Sequence, residues 1–182
     1  MRTRVGYAGG HKQDPAYHDL GDQAETLRVE FDPAQVSYEQ LLDVYWAGFR
    51  PKHPGWGTQY RNAIFVGNDE QRRLAEEHKR RLEEAAGDEL AVSIEAAGTF
   101  WPAEAYHQKH YLRGDADLMA EFLGMYPDEE AFVDSTAAAR VNGYLGGYGD
   151  PRAGLGKLGL SLEGQHRVVE ATARRIRFTC LI

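Results

Sequence analysis

Two short segments hold the side chains best suited to acid or hydrogen-bond chemistry. In Tyr17-His18-Asp19-Leu20-Gly21-Asp22-Gln23-Ala24-Glu25, six of nine residues carry hydrogen-bonding side chains, dense for a connection between strands. Glu25 stands just before an alternating strand, where partial burial would raise its pKa and let it donate a proton near neutral pH; a solvated charged loop is the competing reading. Gly55-Trp56-Gly57-Thr58-Gln59-Tyr60-Arg61 sets aromatics among small residues at a strand entry. There the backbone can approach a ligand while the Trp56 ring and the Tyr60 phenol face it. Gly6-Tyr7-Ala8-Gly9-Gly10 lacks the Gly-Lys-Ser/Thr of a phosphate loop and reads as a tight turn. Phe100 to Gln108 is a further aromatic segment, whose His107 reads as a packing residue. The seven histidines show no zinc-type spacing, so no metal site is expected.

These segments need strands and helices to hold them. Thr3 to Tyr7 reads as a strand, and Leu27, Val29 and Phe31 alternate with charged residues as a second strand with one wet face. Ser37 and Gln40 have capping-box spacing, and Leu41, Leu42, Tyr45 and Phe49 give the helix that follows an apolar stripe, stopped by Pro51 and Pro54. Tyr60 to Val66 reads as one buried strand. Asn68 to Ala86 reads as a helix with Leu74, His78 and Leu82 inward, Glu76/Arg80 and Glu77/Arg81 paired on its surface, and Gly87 at its end. Leu90 to Ala96 alternates as another strand. This order predicts an α+β, two-layer sandwich. Residues 115–142 read as helical, the six glycines of 143–156 as a linker or ordered loop, and the basic end as strand-like.

Composition narrows the class. The net charge of −7 argues against general nucleic-acid binding, and no apolar run is long enough to span a membrane. The N-terminal residues lack the apolar stretch of a secretory signal, and one cysteine, Cys180, forbids an internal disulfide, so the cytoplasm is the expected compartment.

GYAGG, Pro15-x-Tyr17, Ala24-Glu25 leading to Val29-x-Phe31-Asp32-Pro33, GTQYR-x-AIF and AEAYHQ-x-x-YL occur in order over residues 3 to about 113. Together they resemble the peptide methionine sulfoxide reductase A family, and Ala137 to Tyr144 resembles C-terminal extensions of some divergent relatives. The resemblance implies a ferredoxin-like sandwich over 1–114 and a helical, Gly-rich extension over 115–182. It implies reduction of the S-epimer of methionine sulfoxide, free or in proteins, as oxidative-damage repair. A cysteine thiolate attacks sulfur and an acid protonates oxygen; thioredoxin or another dithiol then reduces the resulting sulfenic acid, and no cofactor is required. On this pattern Glu25 is the acid, while Tyr17 and Tyr60 hold the substrate oxygen and Trp56 adds a substrate contact. The family's Gly-Cys-Phe-Trp motif, with its strand and helix of roughly 20 residues, precedes GYAGG. The expectation is therefore a natural start upstream of Met1, and an inactive 182-residue chain as given. A non-catalytic methionine sulfoxide binding module and a truncated gene product are the alternatives. Cys180 is conceivable as a resolving thiol. Gly55 stands where the family often has an aspartate.

Overall fold

The structure, a computed structural model, describes residues 1–48 and 52–179, with the side chains of the last helix described through Arg175. The chain divides into two compact units, Val5–Glu104 and Met1–Arg4 with Ala105 onward.

In the first unit, β1 (Arg2–Ala8, which begins in the other unit) lies between β2 (Ala24–Glu30) and β7 (Trp101–Pro102). β1 runs antiparallel to β7, with Gly6 opposite Pro102 and Tyr7 opposite Trp101. The predicted capping box forms at α1 (Tyr38–Gly48): the Ser37 amide donates to Gln40 Oε1 at 2.8 Å, and the Gln40 amide to Ser37 Oγ at 3.2 Å. Leu42 and Trp46, one helical turn apart, are its buried residues. Trp46 thus joins a stripe that the sequence reading assigned to other positions, of which Phe49, like Pro51, lies outside the described residues.

The expected strand over 60–66 is two strands with different partners. β3 (Gly55–Trp56) pairs antiparallel with β4 (Tyr60–Arg61), whereas β5 (Ala63–Val66) pairs in parallel with β6 (Ser93–Ala96). Asn62 makes the break: its main chain bonds Pro54 and Ser93, and its side-chain amide donates to the carbonyls of His53 and Ala91. The helix α2 (Asp69–Ala86) is capped by Asn68, whose side chain accepts from the Gln71 amide, and ends at left-handed Gly87. Ala75 and His78 are buried, while Leu74 and Leu82 are only partly so. The surface pairs also differ from the expected ones: Glu76 meets Arg72, Glu77 meets Arg73 and Arg80 meets Glu84. A core of Leu42, Trp46, Val66, Ala75, Leu90 and Val92 joins α1, α2, β5 and β6 into two layers. The class is α+β, as the element order predicts.

In the second unit, α3 (His110–Arg113), α4 (Ala116–Met125), α5 (Glu129–Asp134), α6 (Thr136–Leu145) and α7 (Leu162–Thr179) surround a core of Leu118, Phe122, Phe132, Val141 and Val168. The glycine-rich segment is an ordered loop with two short 3-10 turns, Pro151–Ala153 and Leu155–Lys157, which bury Pro151 and Leu155. The basic end is a helix and not a strand. Ser161 Oγ accepts the Gly164 amide at 3.0 Å as a cap, and Gly164, Val168 and Thr172 recur inward every four residues. Val168 and Thr172 are buried, and Thr172 Oγ1 donates to the Tyr144 carbonyl of α6. No helix of the described residues is long and apolar enough to cross a membrane.

Candidate active site

The site lies within the Val5–Glu104 unit and is assembled from a turn, a polar loop and a hairpin. The turn after β1 needs Gly9 at φ +82, because a Cβ there would meet Arg61 Nη2 at 2.3 Å. The loop that follows is ordered by two buried or committed side chains. Gln23, 1 % exposed, accepts the Gly10 amide and donates to the Lys12 carbonyl. The Asp22 carboxylate accepts the main-chain amides of Lys12 and His11 and faces the His11 ring, which together hold its pKa far below the usual carboxylate range.

The β3–β4 hairpin presents the other half. Trp56 stands directly opposite Tyr60, so both side chains leave the hairpin on the same face. Trp56 is 90 % exposed and Tyr60 49 %. Gly55 has φ +103, and a Cβ there would sit 2.1 Å from the Tyr60 carbonyl oxygen. The aspartate that the resemblance suggests here cannot be placed in this hairpin; its close strand contact requires glycine.

Hairpin and loop converge on Glu25. The Glu25 amide donates to the Gln59 carbonyl at 3.0 Å, and Gln59 Nε2 donates to Glu25 Oε1 at 2.7 Å and to Tyr60 Oη at 3.1 Å. Tyr60 Oη also shares a hydrogen bond with the Tyr17 hydroxyl, and this bond together with the Glu25 charge raises the Tyr60 pKa, keeping that phenol protonated. Tyr17, Glu25 and Tyr60, chosen from sequence, are therefore brought together. The expected partial burial of Glu25 is not observed: its side chain is exposed, because only Ala24 of the Ala24-Glu25 pair faces inward. Cys180 lies outside the described residues.

Two features escaped the sequence reading. Gln59 bridges acid and phenol, and Arg61 ties the whole frame, donating to the carbonyls of Gly9 (2.8 Å), Thr58 (3.1 Å) and Asp22 (3.2 Å) while facing Glu95 and the Phe65 ring. Both belong to the GTQYR segment, but nothing local marks an arginine that serves distant carbonyls. Among the described residues no cluster of three or more His, Cys, Asp or Glu could hold a metal ion. The arrangement offers a donor-rich, water-accessible face suited to a polarised oxygen atom, with an exposed indole beside it.

A family model described as peptide methionine sulfoxide reductase matches residues 1–140, which takes the likeness beyond the sequence motifs into α4, α5 and half of α6. A peptide methionine sulfoxide reductase A5 of Oryza sativa subsp. japonica is 41 % identical over 152 residues, covering 79 % of this chain and 58 % of the rice protein. The chain thus spans about three fifths of that relative's length. A peptide methionine sulfoxide reductase MsrA of Methanothermobacter thermautotrophicus is 48 % identical over 121 residues, 60 % of this chain and 72 % of its own. The crystal structure of reduced Mxr1 from Saccharomyces cerevisiae superposes with a TM-score of 0.56 at 28 % identity, over 62 % of this chain and 70 % of that one.

Proposed function

Because the chain belongs to the peptide methionine sulfoxide reductase family, we propose that Tyr17, Glu25 and Tyr60 receive the oxygen of methionine sulfoxide. Glu25 is the proton donor in this reading, and Trp56 packs beside the methionine side chain. The carrying observation is the hydrogen-bonded run Glu25–Gln59–Tyr60–Tyr17 on one exposed face. A sulfoxide oxygen carries partial negative charge, and the two phenols can donate to it with Glu25 beside them as the acid. Reduction needs a thiolate that attacks sulfur as the oxygen is protonated, leaving methionine and a cysteine sulfenic acid for thioredoxin or another dithiol to reduce. The proposed setting is repair of oxidised methionine in the cytoplasm.

The proposed place for the thiol is a further strand docked beside β2 and β5. Two observations support it. Among the described residues β2 and β5 are each the end strand of their sheets, and Leu27 on β2 is 61 % exposed, an edge and an apolar side chain suited to another strand. In the proposed reading the one thiol of the 182 residues, Cys180, is not the nucleophile, and this chain by itself binds the sulfoxide without turning it over.

Calorimetric titration with N-acetyl-methionine (S)-sulfoxide, run beside a turnover assay with dithiothreitol, tests this. The expected result is binding that Tyr60→Phe or Tyr17→Phe weakens about tenfold, one donor's worth at 1.4 kcal/mol, with no turnover. S-specific turnover by this chain would refute the assignment of the thiol elsewhere, and equal binding by both variants would refute the oxygen site.

A further inference from the structure

Tyr17 sits in the middle of the loop between β1 and β2, away from the contacts of Asp22 and Gln23 that fasten the loop's ends, yet its hydroxyl must meet Tyr60. Its main-chain amide is held by a carboxylate from elsewhere in the sequence: Tyr17 N donates to Glu104 Oε1 at 3.1 Å. The other carboxylate oxygen, Glu104 Oε2, accepts from Tyr7 Oη at 2.7 Å. Tyr7 is a rigid base, being 2 % exposed on the central strand β1. Glu104 is fixed from its own side as well. The Tyr7–Trp101 and Gly6–Pro102 pairing continues into a bond from the Ala103 amide to the Val5 carbonyl at 3.1 Å, one residue before Glu104.

A carboxylate has two oxygens that only accept, and here one meets a buried phenol and the other a loop amide. Charge-assisted bonds of this kind are stronger and more directional than neutral ones. The pair therefore transmits the position of the sheet to the backbone of Tyr17, and through that backbone to the phenol facing Tyr60 and Glu25.

We infer that Glu104, clamped by Tyr7, is a positioning residue that sets the Tyr17 phenol for the substrate oxygen. It touches no reacting atom. The inference rests on the oxygen site proposed for Tyr17, Glu25 and Tyr60, and its test separates the two.

The 15N-labelled chain is titrated with N-acetyl-methionine (S)-sulfoxide as wild type, Glu104→Ala, Glu104→Gln, Tyr7→Phe, Tyr17→Phe and the double variant Glu104→Ala with Tyr17→Phe. Glu104→Ala is expected to weaken binding about tenfold, the loss of one well-placed hydrogen bond. Glu104→Gln, which keeps an acceptor for the Tyr17 amide, restores most of it, and Tyr7→Phe falls between. In the Tyr17→Phe background, Glu104→Ala costs nothing more, because its effect runs through that phenol. Independently of ligand, Glu104→Ala and Tyr7→Phe shift the Tyr17 amide resonance and speed its hydrogen exchange.

An unchanged Tyr17 amide in both single variants overturns the inference, as does an equal loss on adding Glu104→Ala to Tyr17→Phe. A wild type that does not bind, with the Tyr17 amide responding as stated, rejects the oxygen site while upholding the clamp. Should Glu104→Ala fail to fold, Tyr7→Phe and Glu104→Gln carry the same amide readout.

Discussion

Replacing Arg61 by methionine should unfasten the frame that carries the site while leaving most of the apolar stem's packing. The Arg61 side chain is 19 % exposed and donates to three main-chain carbonyls, on the turn after β1, the loop before β2 and the hairpin. Hydrogen bonds from a charged group contribute about 1.5 kcal/mol or more each, but partly wet carbonyls recover some of that from water. Taking about 1 kcal/mol for each of the three gives about 3 kcal/mol. Glu95, 32 % exposed and 3.4 Å from the guanidinium, loses its partner too and adds less than about 1 kcal/mol after screening. The expected destabilisation is therefore 3 to 4 kcal/mol, roughly, with Arg61→Lys at about half, since an ammonium cannot serve all three directions. Urea unfolding followed by tryptophan fluorescence reads the right unit, because Trp46, Trp56 and Trp101 all lie within Val5–Glu104. A loss below about 1 kcal/mol for Arg61→Met, or Arg61→Lys as damaging as Arg61→Met, would show that the frame does not depend on this fork.

Gly55→Ala should cost about 2 to 3 kcal/mol and weaken sulfoxide binding with it, because the Cβ would press on the Tyr60 carbonyl at 2.1 Å; denaturant melts and titration check both. Lys109 is 5 % exposed, its ammonium donating to the Thr3 carbonyl and hydroxyl, and burial lowers its pKa to about 8. The unfolded chain then holds a proton that the folded one has lost between about 8 and 10.5. Stability should accordingly rise with pH across that window, and Lys109→Met should abolish the rise in pH-dependent melts. Asp22 has the same sense at acid pH: its depressed pKa makes its contribution present above the unfolded value of about 3.9 and lost only as pH falls through the folded one. The His11 and Lys12 amide resonances should keep their native positions through pH ~4, and Asp22→Asn should remove that resistance.

Local signals carried much of this fold. The Ser37/Gln40 box, the Asn68 cap and the Gly87 stop each announce a helix end within four residues, and each forms as read. What local pattern could not supply was the choice of partner. Residues 60–66 look like one strand because aromatic and β-branched residues flank Asn62 on both sides; the break at Asn62 depends on bonds to His53 and Ala91 in other segments. The last helix was read as a strand-like basic end, because its inward face is set by packing on α6. At the site Tyr17, Glu25 and Tyr60 were legible because they fall on the motifs that carry the family resemblance. Gln59, Arg61, Glu104 and Tyr7 were not, since their roles lie in bonds to main-chain or side-chain atoms of other elements. Exposure of Glu25 was likewise unreadable, because alternation fixes which residues share a face but not what covers that face.

The central claim, that Tyr17, Glu25 and Tyr60 together receive a sulfoxide oxygen, is tested most directly by mapping the amide and tyrosine-ring resonances of the labelled chain on addition of the two epimers of N-acetyl-methionine sulfoxide. The account predicts saturable shifts with the S-epimer, centred on Tyr17, Glu25, Gln59 and Tyr60, that need about tenfold more ligand in Tyr60→Phe. Shifts of equal size with both epimers, or shifts centred away from these residues, would contradict it.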